Sequence, residues 1–504
     1  MSKPLDILTA SHSAPAVEPN RHALDSAILR RQSIPLSRRP ALSFAAVGVL
    51  AFHLAHSVAP FSFLILVFLF CVAQLARVST ARAAFYAGLG VGVALYGPQL
   101  GFFWTIFGPA AVALWLVLAF WIGLFVLLAH LCWRRWNAVA FSAALPILWT
   151  ACEYFRSELY YLRFSWLSVG YAFADAPMVA APLGAYGLSF VLMLVVAVFL
   201  LLKQLEMKKL AWAGALSSLA SLAFFSQRSA VSANTPAADA APLRVAGVQL
   251  EFPGDTEVLQ ALNELAAKHP AAQLLVLSEY TFQGPVPETI KAWCRNHQRF
   301  LIAGGKDPVA ENDKEFYDTT FVVGPGGDII FKQGKAVPIQ FFNDGLPARE
   351  QKVWDSPWGK LGLCVCYDLS YTRVTDELIR HGARALIVPT MDVVEWGRHQ
   401  HELHARVAPI RAAEYRVPIF RVASSGISQI VDRSGRVTAS APFPGPAAVI
   451  AGELQLGPPG KLPLDRVLAP VCVALTTLLT AWLAVSAWRQ RGQIANRKSQ
   501  IANP

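Results

Sequence analysis

Leu363-Cys364-Val365-Cys366-Tyr367-Asp368 is a short apolar run that ends in a thiol, an aromatic ring and a carboxylate. It lies in a polar, strand-rich stretch near residues 243–455, flanked on both sides by segments fit only for lipid. A strand that empties into a cysteine presents it at the carboxyl edge of a sheet, where α/β folds place chemistry. Working outward, Leu243–Leu250, Gln273–Leu277, Phe300–Ala303, Lys360–Val365, Ala383–Val388 and Pro418–Val422 read as β-type runs. They alternate with helical segments such as Val258–Lys268 and His399–Tyr415. Thr320–Phe331, around Gly324-Pro325-Gly326-Gly327, and Ile427–Val437, around Arg433-Ser434-Gly435, have the turn chemistry of hairpins. The alternation predicts an α/β sandwich of helices layered on sheets.

The flanks set the second half of the architecture. Of 504 residues, 54% are hydrophobic and 15% charged, against roughly 25% charged in an ordinary soluble domain. Apolar runs at about 41–57, 60–76, 84–104, 109–133, 138–155, 179–202, 210–226 and 467–488 approach the ~20 residues that cross a hydrocarbon core. The expected plan is a basic tail over 1–39, a seven-span bundle over 40–227 and a linker over 228–242. The α/β domain follows over 243–455, then a linker and eighth span over 456–488 and a second basic tail over 489–504. If the spans alternate, Arg77, Arg82, Arg134, Arg135, Lys203, Lys208 and Lys209 share one side with both tails. The bias of positive loops makes that side cytoplasmic, which puts 243–455 on the outer face, the periplasm of a Gram-negative host. The net charge of +11 resides in these tails and loops rather than in one aromatic-laced patch, so no nucleic-acid partner is expected.

Seven cysteines are present, and Cys71, Cys132, Cys152 and Cys472 fall inside apolar runs. There a thiol is a small buried hydrophobe. Cys294, Cys364 and Cys366 remain, with no CxxC pair and no Cys/His ligand spacing, so no metal is expected. Cys364 and Cys366 share a strand face; mid-strand Cys364 suits a buried inert thiol, whereas Cys366 at the strand end meets substrate. Glu279 follows Leu274-Leu275-Val276-Leu277-Ser278, and Lys335 lies in Phe331-Lys332-Gln333-Gly334-Lys335-Ala336-Val337-Pro338. A thiol, a base and a cation to hold an oxyanion are what acyl transfer requires. In the membrane part, Glu153 and Arg156 precede an aromatic loop; either they serve function at membrane depth or they anchor a helix end.

A strand ending in Glu, a Lys ahead of Val-Pro, and Cys-Tyr-Asp resemble the Glu-Lys-Cys triad of the nitrilase, or carbon-nitrogen hydrolase, superfamily. Val245-Ala246-Gly247-Val248-Gln249, Arg411-Ala412-Ala413-Glu414-Tyr415-Arg416 and Arg421-Val422-Ala423-Ser424-Ser425-Gly426-Ile427-Ser428 narrow the resemblance to the apolipoprotein N-acyltransferase family. So do Trp149-Thr150-Ala151-Cys152-Glu153-Tyr154-Phe155-Arg156 and Gly184-Ala185-Tyr186-Gly187-Leu188-Ser189-Phe190 in the bundle. The fold this implies is a membrane bundle of about eight helices carrying a nitrilase-like αββα sandwich. The catalytic residues it implies are Glu279, Lys335 and Cys366, with Tyr367 and Asp368 as substrate or oxyanion contacts. The implied reaction passes an acyl chain from a phospholipid, through a cysteine thioester, to the N-terminal amine of a diacylglyceryl-cysteine apolipoprotein. No cofactor is needed, the other partners are membrane lipids, and a monomer is expected.

The departures from the family pattern are specific. An ungapped match on Val337-Pro338 would put the catalytic Lys at Gln333; Lys335 shares that strand face and Lys332 does not, so Lys335 is preferred and Lys332 is its rival. The family Glu after that Pro is replaced by Phe341, with Asp344 as a possible stand-in, and Asp368 is shorter than the usual Glu. Two other functions fit parts of the chain. One is a membrane-tethered amidase with the same triad, the other a transporter or channel with an incidental thiol.

Overall fold

A computed structural model of the chain describes residues 35–214, 216–218, 220, 242–309 and 312–502. Most of the expected linker and much of the expected seventh span, with residues 1–34 of the tail, lie outside these. Helices stand at the other expected spans: α1 (Arg38–Ser57), α2 (Ile65–Leu75, entered by a 3-10 turn at Ala59–Leu64), α3 (Ala81–Gln99), a short α4 (Phe102–Phe107), α5 (Ala110–Arg135), α6 (Ala138–Tyr154), α7 (Ala185–Gln204) and a terminal helix, Asp465–Ala502. Five of the described helices are long and apolar enough to cross a membrane: Arg38–Ser57, Ala110–Arg135, Ala138–Leu159, Ala185–Gln204 and Asp465–Arg489. Ala59–Leu75 is apolar but shorter.

Glycine decides how α3 packs. A Cβ at Gly88 would lie 2.7 Å from the Ile122 carbonyl oxygen, and one at Gly92 would lie 2.6 Å from Ala119 Cα. This small-xxx-small stripe lets α3 and α5 pack backbone to backbone, a device of helices in lipid. The terminal helix continues past the expected boundary at 488 to Ala502.

The expected αββα sandwich is present. One sheet has the order β12-β1-β2-β3-β4-β5 and the other β11-β10-β9-β8-β7-β6, with β6 at Val353–Ser356, β10 at Ser428–Val431, β11 at Val437–Ala441 and β12 at Val449–Leu454. The strands that matter for the site are β1 (Leu243–Val248), β2 (Leu274–Val276), β3 (Phe300–Val309), β4 (Asn312–Val323), β5 (Ile329–Gly334), β7 (Gly359–Leu363), β8 (Ala385–Thr390) and β9 (Ile419–Ala423). β1, β2 and β3 run parallel, as do β7, β8 and β9. Val245, Val276, Ile302 and Val322 face Leu361, Leu363, Ile387 and Phe420 in the core between the sheets. Helices Asp255–Lys268 and Glu288–His297 cover the outer face of the first sheet.

The outer face of the second sheet is covered differently. Thr372–Arg380, Arg398–Ala405 and Val407–Tyr415 lie on it, and Leu369, Val374, Leu386, Leu403 and Ile410 belong to one continuous apolar core with Phe68, Leu95, Phe125 and Trp149 of the membrane helices. The single helix expected over His399–Tyr415 is therefore two, broken at Arg406. Pro409 explains the break, because it lacks an N–H and is tolerated only in the first turn of the second helix.

Candidate active site

Four strand ends deliver the polar groups to one edge of the sandwich. Beyond β2, Tyr280 adopts φ +52° and the chain turns, leaving Glu279 buried. Gly304 on β3 permits this, since a Cβ there would sit 2.5 Å from Glu279 Cα. Beyond β5, Lys335 is fully buried with Nζ 2.7 Å from Glu279 Oε1, 2.7 Å from Asp344 Oδ2 and 3.3 Å from Asp318 Oδ2. Beyond β7, Cys366 opens a 3-10 turn over Cys366–Ser370 with φ +49°, a left-handed conformation rare for a side-chain-bearing residue. Beyond β8, the Met391 amide donates to Glu279 Oε2 at 2.6 Å, and the Met391 carbonyl receives the Cys366 thiol at 3.6 Å.

Electrostatics bind these parts together. Burial works against the Lys335 ammonium, but Asp344, Glu279 and Asp318 together hold its proton affinity well above the usual lysine range. Burial, then the Glu279 charge, raises Asp318 well above the carboxylate range, and the Lys335 charge opposes this. Burial also pushes the Cys366 thiol well up, Glu279 adds to this, and Lys335 opposes it. The resting sulfur is therefore a thiol, and its proton must pass to a base before it attacks. The closest oxygens of Glu279, Asp318 and Asp344 lie within 4.8 Å of one another, a spacing suited to a metal ion. The ammonium of Lys335 occupies that place as a built-in cation.

The two rival lysines stand in different surroundings. Lys332 is exposed and pairs with Asp307 at 2.5 Å, on the other face of β5. Gln333 is buried; its Nε2 donates to the Gly334 and Glu350 carbonyls and its Oε1 accepts from the Lys352 amide, all of them backbone groups. Asp344 does stand beside the lysine: besides Nζ, it accepts from Tyr280 Oη at 2.8 Å and from the Ile339 amide at 2.6 Å. Both thiols are buried, Cys364 within the apolar core and Cys366 on the wall of a cavity. Tyr367 lines the cavity above Cys366. The expectation for Asp368 requires correction. It is completely buried, and its carboxylate accepts from the Ala336 amide at 3.0 and 3.1 Å and from the Val337 amide at 2.7 Å. It holds the Lys335 turn rather than substrate, and the shorter Asp arm fits that task.

Asp318 falls before the hairpin expected from Thr320, because β4 already starts at Asn312. A carboxylate alternating inward on that strand was the available signal. Asp392 and His404 lie in no family stretch, and Arg421 heads one of them without having been singled out as a site residue. Glu153 and Arg156 do not pair with each other. Glu153 Oε1 accepts from the Val169 amide at 2.7 Å, and Arg156 Nη1 donates to the Phe164 carbonyl at 2.8 Å. Between those points Trp166 donates through Nε1 to Ser370 Oγ at 2.9 Å, so the pair fixes a membrane-side loop against the Cys366 turn.

A cavity of about 110 Å3 opens over Cys366. Its walls come from both halves of the protein: Phe103, Phe107 and Leu118 from the membrane helices, Trp166 from their loop, and Phe342 and Trp396 from the sandwich. Phe341 is 70% exposed, and Phe341 and Phe342 pack edge-on against Phe107, with ring centroids 6.1 and 5.6 Å away.

Fold and site together define a carbon-nitrogen hydrolase domain built onto a membrane helix bundle. Residues 44–198 match the apolipoprotein N-acyltransferase N-terminal domain, and residues 232–458 match the carbon-nitrogen hydrolase family. Its membrane part and its sandwich are thus similar to the two parts of apolipoprotein N-acyltransferases. The chain is 28% identical over 476 residues to the apolipoprotein N-acyltransferase of Azotobacter vinelandii, covering 81% of this chain and 87% of that one. To the one from Geobacter metallireducens it is 26% identical over 398 residues, covering 68% and 74%. Among solved structures, Nit3 of Saccharomyces cerevisiae, a nitrilase-superfamily member, aligns at 21% identity over 42% of this chain and 90% of that one, with a TM-score of 0.37.

Proposed function

We propose that this protein transfers an acyl chain from a phospholipid to the α-amine of a diacylglyceryl-modified N-terminal cysteine on an apolipoprotein, with Cys366 carrying the chain as a thioester. The observation that carries the reading is the cavity over Cys366, whose walls include membrane-helix side chains. A lipid can reach the sulfur without leaving the apolar phase, which avoids exposing its methylenes to water at ~0.8 kcal/mol each.

In the first half-reaction Glu279 takes the Cys366 proton and the sulfur attacks the ester carbonyl. The Lys335 ammonium and the Tyr367 amide stabilise the oxyanion. The C–S bond then stands, the C–O bond breaks, and the lysophospholipid oxygen leaves with the proton from Glu279. In the second, the acceptor amine attacks the thioester, an amide bond forms, the C–S bond breaks, and the thiol is regenerated. The sandwich faces the periplasm, the basic loops and tails lie on the cytoplasmic side of the inner membrane, and the enzyme acts as a monomer.

A formamidase of Bacillus thuringiensis is 27% identical over 157 residues, 26% of this chain, but a small amide has no use for a wall of membrane aromatics. Intact-mass measurement of the purified protein after incubation with a defined phospholipid tests the proposal. One acyl mass on the wild type that moves to a diacylglyceryl peptide supports it; a protein that stays unacylated sinks it.

A further inference from the structure

Behind the cavity lies a second polar cluster that the transfer chemistry above does not use. Asp392 is completely buried, and its Oδ1 lies 2.8 Å from His404 Nδ1 and 3.2 Å from Gln400 Nε2. Its Oδ2 pairs with Arg421, and the Asp392 amide donates to Ser424 Oγ at 3.0 Å. The His404 ring is stacked at 4.7 Å on Trp166, which also packs against Tyr367 at 5.9 Å. His404, Asp392 and Cys366 line the same cavity.

The hydrogen-bond inventory fixes the tautomer. Nδ1 has two neighbours, Asp392 Oδ1 at 2.8 Å and an Arg421 nitrogen at 3.0 Å. Burial raises the proton affinity of Asp392, yet His404 and Arg421 overcome this and hold it well below the usual carboxylate range. It is therefore an acceptor only. An unprotonated Nδ1 would set two lone pairs against each other at the shorter distance, so Nδ1 carries the proton and Arg421 is spent on Asp392. Burial, joined by Arg421 and His401 and opposed by Asp392, lowers His404, which leaves it neutral. Nε2 is then a bare lone pair, buried, with no partner among the described residues. Asp392, Arg421 and His401 are the charged or titratable groups facing this ring, and Trp166 covers it.

The acceptor brings an α-amine with an ordinary pKa of about 8, protonated at neutral pH and unable to attack until one proton leaves. We infer that His404 Nε2, oriented through Nδ1 by Asp392, receives that proton in the second half-reaction. The N–H bond breaks, the imidazole becomes imidazolium beside Asp392, and the freed amine attacks the Cys366 thioester. This rests on the acyl-transfer reading, and it divides the work: Glu279 serves the sulfur and His404 the nitrogen.

The test uses full-length enzyme in detergent, a synthetic phospholipid and a synthetic peptide with a diacylglyceryl N-terminal cysteine, and times each half-reaction by intact mass. Glu279-dependent thioester formation should proceed at the wild-type rate in His404→Gln. Transfer to the peptide at pH 7 should slow by about 10²-fold, the lower range for losing a positioned base. The deficit should shrink towards parity at pH 9.5, where the amine is already free. Equal slowing of both half-reactions, a deficit independent of pH, or unimpaired transfer each overturns the inference. Should the variant fold poorly, wild-type transfer from preformed thioester still decides the matter, because it must show an enzyme ionisation below the ordinary histidine range as well as that of the amine; its absence refutes the role. Failure of the wild type to form any thioester would instead remove the underlying function.

Discussion

Replacing Lys335 by methionine keeps the stem and removes only the cation, which isolates what the charge does. Its Nζ stands 2.7, 2.7 and 3.3 Å from Glu279, Asp344 and Asp318. Without it, three buried carboxyl groups face one another with no counter-ion, and two unit charges 4 Å apart at an effective dielectric of 20 repel by about 4 kcal/mol. Breaking a buried pair by deleting one partner costs about 3–5 kcal/mol. At roughly 2–4 °C per kcal/mol for a domain of 150–250 residues, melting should fall by on the order of 10 °C. The pH dependence carries the sharper signature. In the variant, the carboxyl groups must bind protons more tightly folded than unfolded, so their contribution is present at low pH and lost as pH rises through the folded value. The deficit should therefore be largest near pH 8 and smallest near pH 5.

Wild type shows no such slope from Lys335. Its proton affinity is raised, so its contribution is complete below the unfolded lysine value of about 10.4. Adding Asp344→Asn to Lys335→Met should recover part of the melting temperature and none of the acylation, because the oxyanion donor, worth about 10²–10³ in rate, stays absent. Thermal melts across pH and the timed acyl mass are the two assays. A variant that melts with wild type at every pH would show that the cation does not balance these carboxylates.

Cys366→Ala should carry no acyl mass, whereas Cys364→Ala should acylate at the wild-type rate with a loss of stability of about 1 kcal/mol for the small void left behind. Gly304→Ala would drive a Cβ to 2.5 Å from Glu279 Cα; timed acylation should slow and stability fall by about 1–3 kcal/mol, while Gly284→Ala, with nothing within 4 Å, should leave both unchanged. Asp368 is pushed up to about 6 by burial, against the opposing amides of Ala336 and Val337 and the Lys335 charge. Its share of stability is thus full at low pH and lost as pH rises through about 6, and Asp368→Asn should flatten that decline in a series of melts.

Periodicity found what repeats, and strand ends found what the repeats deliver. The apolar runs coincide with helices wherever the expected spans are described, and Glu279 and Cys366 were legible because each follows a buried strand, whereas Lys335 follows β5, whose residues are mostly half-buried or exposed. What escaped was set by pairing across the fold. Asp318 acquires meaning only when β4 lies beside β5, an antiparallel pairing of Thr319 with Gly334. Asp368 looked like a substrate contact because it follows Cys-Tyr, yet its carboxylate is committed to amides 31 and 32 residues away. The break at Arg406 was signalled by Pro409, which the helical reading of His399–Tyr415 passed over.

The placement of charge at the junction explains why the two halves hold one geometry. Arg411, fully buried, donates to the Leu369 and Ser370 carbonyls at 3.1 and 2.8 Å, behind the Cys366 turn, and pairs with Glu414 at 2.7 Å. Glu414 in turn accepts from the Ala185 amide at 2.6 Å, at the start of a membrane helix. Arg466, at the start of the terminal helix, reaches Asp376 at 2.8 Å and Glu414 at 3.5 Å. Buried pairs of this kind rarely stabilise more than apolar side chains of the same volume would. Apolar contact, however, is non-directional, and a purely greasy junction would tolerate rotation of the sandwich on the bundle. The ion pairs do not, since each buried charge left unpartnered is costly. They fix the Cys366 turn relative to Trp166 and Phe107, and so the lipid-facing wall stays over the sulfur.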